Sequence, residues 1–354
     1  MVEKARPSVS INNRRIGADF APYIVAEMSG NHNGSLQRAL ETIDQAKAAG
    51  ADSLKIQTYR ADTITIDHDG PEFMVEGGLW DGQKLFDLYN EAHTPWEWHE
   101  AIFARGREIG LTIFSSPFDF SAVDLLEDLG APAYKIASPE LIDLPLIARA
   151  AATGKPLVLS TGMATLDEIS DAVEMARSSG CSELIVLHCT SSYPSELADA
   201  NLTTIGEISR RFDVVTGLSD HSLGTFLAPL AVAAGASVIE KHFTLDRADA
   251  GVDSAFSIEP QELAELVANA KMAHSSLGRV AFEPLASETS SYRNRRSLFV
   301  VQAVRKGDQF SDRNVRSIRP GNGIKPKHLF EVHGRRATRD IAYGEPLAWD
   351  MVSE

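Results

Sequence analysis

Apolar residues along the first 240 positions gather into short runs, separated by longer stretches in which they recur at helical spacing. The runs at 23–27, 53–57, 111–115, 133–136, 156–160, 184–187, 214–218 and 237–240 predict buried strands, most of them largely apolar, with polar residues arriving at several of their ends. Helical spacing fills 35–49, 121–129, 144–153, 165–179, 202–212 and 223–236, with Ser35 as an N-cap and Gly50 as a stop. Thr94 and Pro95 read as the cap and first position of one more helix. Eight strands alternating with helices over roughly 250 residues suit an α/β fold closed as a (β/α)8 TIM barrel. An open doubly wound sheet alternates in the same way but does not require eight units.

Two stretches break the alternation. Residues 60–94 form a long excursion rich in Asp, Gly and aromatic side chains, the composition of a lid or substrate wall. After position 278 the chain turns polar and irregular, then carries strand-like pieces at 297–301, 316–318 and 335–337 punctuated by Gly, Pro and basic residues. The expected organisation is a barrel over 1–280, a linker over 281–294 and a small β-rich domain over 295–354. About 60 residues make a marginal core, so that domain is expected to dock. Its basic character against an acidic barrel favours docking over the barrel mouth of its own or a partner chain.

Composition narrows the function classes. The 354 residues carry a net charge of −15, which argues against nucleic acid as a partner. Two cysteines, Cys181 and Cys189, give no disulfide framework, so a reducing compartment is expected. No apolar run approaches the ~20 residues of a membrane span, and the start of the chain lacks the apolar core of a secretory leader. The expectation is a cytoplasmic protein with no membrane partner.

Active sites of α/β barrels form at the C-terminal ends of strands. Here those ends gather Glu27, Lys55, Gln57, Ser115, Ser116, Lys135, Ser138, Glu140, Ser160, Thr161, Thr190, Ser191, Tyr193, Ser219, Asp220, His221 and His242. His221 and His242 close consecutive strands, where two imidazoles can share one metal ion, or can simply bond loop backbone. Lys55 and Lys135 among hydroxyls suit a small phosphorylated, carboxylated substrate, although either lysine could be salt-bridged or snorkelling. Glu27 and Glu140 are acid/base candidates that could instead only neutralise a lysine. Trp96, Trp98 and His99 read as helix packing, and Cys189 as a small buried hydrophobe.

Ala26-Glu27 with Asn31-His32, Lys55-Ile56-Gln57, Ser115-Ser116-Pro117-Phe118, Tyr134-Lys135-Ile136-Ala137-Ser138 and Leu159-Ser160-Thr161-Gly162-Met163 together resemble the sialic acid synthase family. So do Cys189-Thr190 with Tyr193-Pro194, Gly217-Leu218-Ser219-Asp220-His221 and Glu240-Lys241-His242-Phe243, while Arg319-Pro320-Gly321-Asn322-Gly323 resembles the signature of its antifreeze-like (SAF) C-terminal domain. The motifs occur in the family's order over nearly the whole chain. Asn33 and Ser191 depart from the N-acetylneuraminate synthases. The runs 80–83, 88–89, 94–99, 114–119 and 253–257 are most like the pseudaminic acid synthase branch.

The resemblance implies a transferase that condenses phosphoenolpyruvate with an acetamido sugar aldehyde, giving a 2-keto nonulosonic acid and phosphate. For the pseudaminate branch the sugar is 2,4-diacetamido-2,4,6-trideoxy-altrose, and the aromatic excursion is expected to supply an apolar wall for it. Legionaminic and N-acetylneuraminic acid synthesis are the alternatives. A divalent metal, manganese or magnesium, is implied on His221 and His242. Phosphoenolpyruvate is implied on Lys55, Ser116, Lys135, Ser138, Ser160 and Ser191, with Glu140 handling water or its proton. Glu27, Gln57, Tyr193 and Asp253 are implied to face the sugar. Arg319 is implied to come from the partner in a domain-swapped homodimer. A metal-dependent aldolase or isomerase would explain the histidines but not the lysine and hydroxyl set; a non-catalytic sugar-binding protein would leave the polar mouth unexplained.

Overall fold

A computed structural model describes residues 6–249 and 251–354; the first five residues and Ala250, which lies within the 214–253 stretch that carries both histidines, are outside it. The chain divides into two compact units, one reaching Gly278 and the other spanning Arg279–Glu354. In the first, eight parallel strands close into a barrel: β3 (Tyr23–Glu27), β4 (Ser53–Thr58), β5 (Thr112–Pro117), β6 (Tyr134–Ile136), β7 (Leu157–Ser160), β8 (Leu184–Cys189), β9 (Val215–Asp220) and β10 (Val238–His242). β10 pairs with both β9 and β3, which closes the ring.

Strand side chains alternate between faces, and here the alternation sorts two cores. Ile24, Ala26, Leu54, Ile56, Ile113, Leu157, Leu159, Val186, Leu218 and Ile239 face outward and pack under the helices. Tyr23, Val25, Phe114, Ala133, Val158, Ile185, Leu187, Val215 and Val238 fill the interior. The same inner cluster contains Val9, Ile11 and Ile16 from a hairpin of β1 (Ser8–Ile11) and β2 (Arg14–Gly17). That hairpin plugs the end where the strands begin. Sequence reading passes over it as a polar start, although Asn12 and Asn13, both at positive φ, are the residues a tight two-residue hairpin turn favours.

Helix ends mostly follow their caps. Ser35 accepts a hydrogen bond from the Arg38 N–H ahead of Leu36–Ala48, and Thr165 with Glu168 forms a reciprocal capping box ahead of Leu166–Ser178. The expected cap at Thr94 is not formed. A 3-10 turn over Trp96–Trp98 leads into His99–Ile109, and the Thr94 hydroxyl is buried without a hydrogen-bond partner. The 60–94 excursion is built from short helices, including Gly78–Trp80 and Leu85–Ala92.

Outward-facing polar residues need partners of their own. Lys241 and Asp220, side by side on β10 and β9, lie under the helix layer with Nζ 2.8 Å from Oδ2 and essentially no exposure. Ser115 also faces outward, where its hydroxyl lies 2.6 Å from Thr58 Oγ1 and 3.0 Å from the Ile56 carbonyl. Both Ser115 and Asp220 are therefore outside the mouth in which their strand-end positions would put them.

The second unit pairs β11 (Ser297–Val300) antiparallel to β12 (Val315–Ile318) around Leu298, Val300, Phe310, Val315, Val332 and Leu347. The strand expected at 335–337 is present only as isolated bridges, Gln309 with Arg336 and Ala337 with Val352.

Replacing Lys241 by Met strands the Asp220 carboxylate in an apolar layer. It is expected to cost about 3–5 kcal/mol of stability, measured by urea unfolding; a loss below ~1 kcal/mol would mean the pair is not structural.

Candidate active site

Followed along their length, the inward positions change character. Beyond Val25, Phe114, Val158, Leu187 and Val238 come Glu27, Ser116, Ser160, Cys189 and Glu240 on the same strands, joined by Lys55, Lys135 and Ser219. All are buried. The polar layer lies on top of the apolar one, as two-residue periodicity requires.

Its centre is Glu240, a residue that sequence reading left inside a strand. Glu240 Oε1 is 2.8 Å from Lys135 Nζ, 3.7 Å from Lys55 Nζ and accepts a hydrogen bond from Ser219 Oγ at 3.0 Å. Lys55 Nζ also lies 3.0 Å from Glu27 Oε2 and donates to Ser116 Oγ at 3.3 Å. Burial opposes charge on Glu240, yet Lys135 and Lys55 outweigh it and hold the carboxyl down to about 2. Burial, with the Glu240 charge adding, pushes Glu27 up against the pull of Lys55. Two ammonium groups thus share one firmly ionised carboxylate while the second is biased toward its neutral form. The layer favours an incoming anion.

Around it the loops supply donors. Ser138 Oγ accepts the Gly162 N–H at 3.0 Å, and a Cβ at Gly162 would sit 2.0 Å from Ser191 Oγ and 2.8 Å from Ser138 Oγ. Only glycine lets these hydroxyls converge. On the other side Gln57 Nε2 donates to Glu27 Oε1 at 2.9 Å and Ser29 Oγ at 3.0 Å, and Asp253 accepts the Gly30 N–H at 3.2 Å. Asn31 fastens the loop after β3 to the loop after β10 through the Phe243 carbonyl and Ser257 Oγ. Burial raises Glu140 to about 7, with Asp143 adding and Lys135 opposing.

His221 and His242 stand at the rim, ring centroids 5.3 Å apart. His221 Nδ1 is 3.0 Å from the Thr190 carbonyl, which can only accept, so Nδ1 carries a proton and Nε2 is the nitrogen left for a ligand. Burial opposes charge on this ring, but Cys189 and the Thr190 carbonyl outweigh it and hold the imidazole above its ordinary range. His242 Nδ1 is buried without a partner, and burial beside His221 and Lys55 holds that imidazole well below its ordinary range, hence neutral. Such a pair fits one divalent ion as two of its ligands, with the remaining positions open. Among the described residues no group of three or more His, Cys, Asp or Glu is arranged to hold a metal. Cys189 is buried as expected but points inward, 3.8 Å from His221 Nδ1 and 3.7 Å from Ser191 Oγ. Burial alone would raise its thiol, and His221 brings it down to about 7.

Ser160 Oγ, Glu140 Oε2 and Glu240 Oε2 share the condition of His242 Nδ1: buried and without a hydrogen-bond partner. Buried polar atoms are normally paired, so several orphans in one mouth mark a ligand site. Tyr193 covers the rim with its ring 4.4 Å from that of His221. Arg319 belongs to the second unit, exposed and lining a groove with Arg295 and Arg296. Of the residues singled out from sequence, all but Arg319 are in the barrel unit.

Comparison with known proteins identifies the family. The NeuB family model matches residues 42–281 and the SAF domain model residues 295–353. The chain belongs to the NeuB family. It is 43% identical to the pseudaminic acid synthase of Campylobacter jejuni, covering 93% of this chain and 96% of that one. It is 32% identical to the N,N'-diacetyllegionaminic acid synthase of Legionella pneumophila, over 96% and 99%. Among solved structures, the N-acetylneuraminic acid synthetase of Leptospira borgpetersenii in complex with citrate has a TM-score of 0.73 at 33% identity, covering 81% of this chain and 95% of that one.

The hydroxyl cluster at Gly162 gives a direct test. Gly162→Ala is expected to weaken inorganic phosphate binding by about tenfold in calorimetry with little change in melting temperature. Unchanged binding would place the anion elsewhere.

Proposed function

We propose that this chain condenses phosphoenolpyruvate with 2,4-diacetamido-2,4,6-trideoxy-altrose to a nonulosonic acid and phosphate, the reaction of a pseudaminic acid synthase. The observation that carries the reading is full-length identity of 43% to such an enzyme, against 32% to a legionaminic acid synthase. The electropositive layer and its orphaned polar atoms suit a substrate bearing both carboxylate and phosphate.

Lys55, Lys135, Ser116, Ser138, Ser160 and Ser191 would hold phosphoenolpyruvate, its negative charge taking over the lysines from Glu240. Glu27, Gln57, Tyr193 and Asp253 would orient the open-chain sugar so that its aldehyde faces C3 of phosphoenolpyruvate. Attack by C3 forms the new carbon–carbon bond as the aldehyde π pair moves onto its oxygen, which takes up a proton to become a hydroxyl, and leaves C2 electron-poor. Water adds there and gives up a proton, and the tetrahedral adduct collapses to the ketone, losing the second proton, as phosphate departs with C–O cleavage. Glu140, at about 7, is suited to take the proton from that water. A divalent ion, manganese or magnesium, on His221 and His242 would supply Lewis-acid polarisation of the aldehyde. Arg319 of a partner chain in a homodimer, reaching the sugar's acyl group, is the reading the family resemblance supports.

The test is phosphate release from phosphoenolpyruvate with manganese, offering the altrose-configured diacetamido sugar, its manno epimer and N-acetylmannosamine in parallel. Turnover should favour the first and stop on chelation; preference for another sugar would move the chain to the legionaminate or neuraminate reaction. A second measurement tests the proton step. Because Glu140 must be ionised to act as a base, kcat should rise with pH through about 7 and level off above it. Glu140→Gln should abolish that limb along with most of the activity. A Glu140→Gln enzyme that keeps both would remove this residue from the chemistry.

A further inference from the structure

Three aromatic side chains far apart in sequence form a continuous wall that ends on the histidines. Phe256, 1% exposed, has its ring 4.9 Å from that of His242 and 5.2 Å from that of Tyr193. The Tyr193 ring lies 4.4 Å from that of His221, tilted by 41°. Trp80, from the 60–94 excursion, meets Tyr193 at 5.8 Å and Phe256 edge-on at 6.3 Å. Its indole N–H is spent on the Val252 carbonyl at 3.1 Å. That bond ties the excursion to the loop after β10 and leaves Trp80 no donor to offer a ligand.

On the reading of a sugar aldehyde held at the histidines, on which this inference rests, the rest of the sugar has a defined reach. Five carbon–carbon bonds of about 1.5 Å carry carbon six about 6 Å from the carbonyl. The wall runs outward from the histidines, first to Tyr193 and Phe256 and then, one ring further on, to Trp80. A methyl group beyond Tyr193 meets the apolar faces of Phe256 and Trp80, whereas a hydroxymethyl would press its hydroxyl against two rings that have no polar group left to pair it. We propose that Trp80, backed by Phe256 and Tyr193, is a specificity-determining residue that selects sugars lacking a hydroxyl at carbon six. Apolar pockets reject an added hydroxyl only moderately, so the selectivity expected is about 10- to 100-fold in kcat/KM.

The experiment measures kcat/KM for matched 6-deoxy and 6-hydroxy forms of whichever sugar skeleton the enzyme turns over, so it remains valid if a different sugar skeleton proves to be the substrate. Wild type should prefer the 6-deoxy form by at least about tenfold. Trp80→Gln, which brings a donor and removes the ring, should reduce the ratio to near one while the KM for phosphoenolpyruvate stays within about twofold. Trp80→Phe keeps an apolar face and should keep most of the ratio. A purely structural excursion would lower both rates together, so an unchanged ratio in Trp80→Gln overturns the proposal. So does a wild-type enzyme that does not distinguish the two forms.

Discussion

A single carboxylate holds the charged layer together. Lys55 and Lys135 enter the barrel from different strands and are fully buried; without Glu240 they would repel each other in a medium that screens charge poorly. Glu240 brings them to one point, and Ser219 fixes the oxygen they share. Everything above is set by that arrangement. Lys55 can also reach Glu27 and Ser116, Glu27 is biased toward its neutral form, and Gln57 is drawn in to bridge Glu27 and Ser29. Such a cluster tolerates burial because it is paired, and it is poised for an anion because its positive charge is only partly balanced.

The barrel was legible in the sequence because short buried strands recur between helical stretches at a steady spacing, even where Lys55 or Lys135 interrupts the apolar run. The first hairpin was not, because Val9, Ile11 and Ile16 are isolated among polar neighbours and join a core only once the barrel exists to receive them. Membership of the mouth was partly misread for one reason. Ending a strand does not decide which way a side chain points; parity does. Two-residue spacing puts Glu240 on the face of His242, and Asp220 on the face opposite His221. Applied to β10 and β9, that rule recovers the missed carboxylate and removes the misplaced one. The aromatic wall is different in kind: Trp80 and Phe256 meet only through tertiary folding, and no local pattern announces it.

Polar chemistry and packing are separated along the same strands. Val238 packs the interior, Glu240 balances charge and His242 offers its imidazole, three roles at successive inward positions of β10. β9 repeats the scheme with Val215, Gly217, Ser219 and His221, where Gly217 is needed because a Cβ would come within 2.4 Å of the Val238 carbonyl.

With the hairpin closing the strand-start end, the barrel is a well with one opening. Glu240, on which both lysine ammonium groups converge, lies two residues, about 7 Å, before His242 on β10. A molecule seated on the lysines is therefore roofed by whatever later occupies the histidines. Whatever binds deepest in such a well has to enter before, and leave after, whatever binds at its rim.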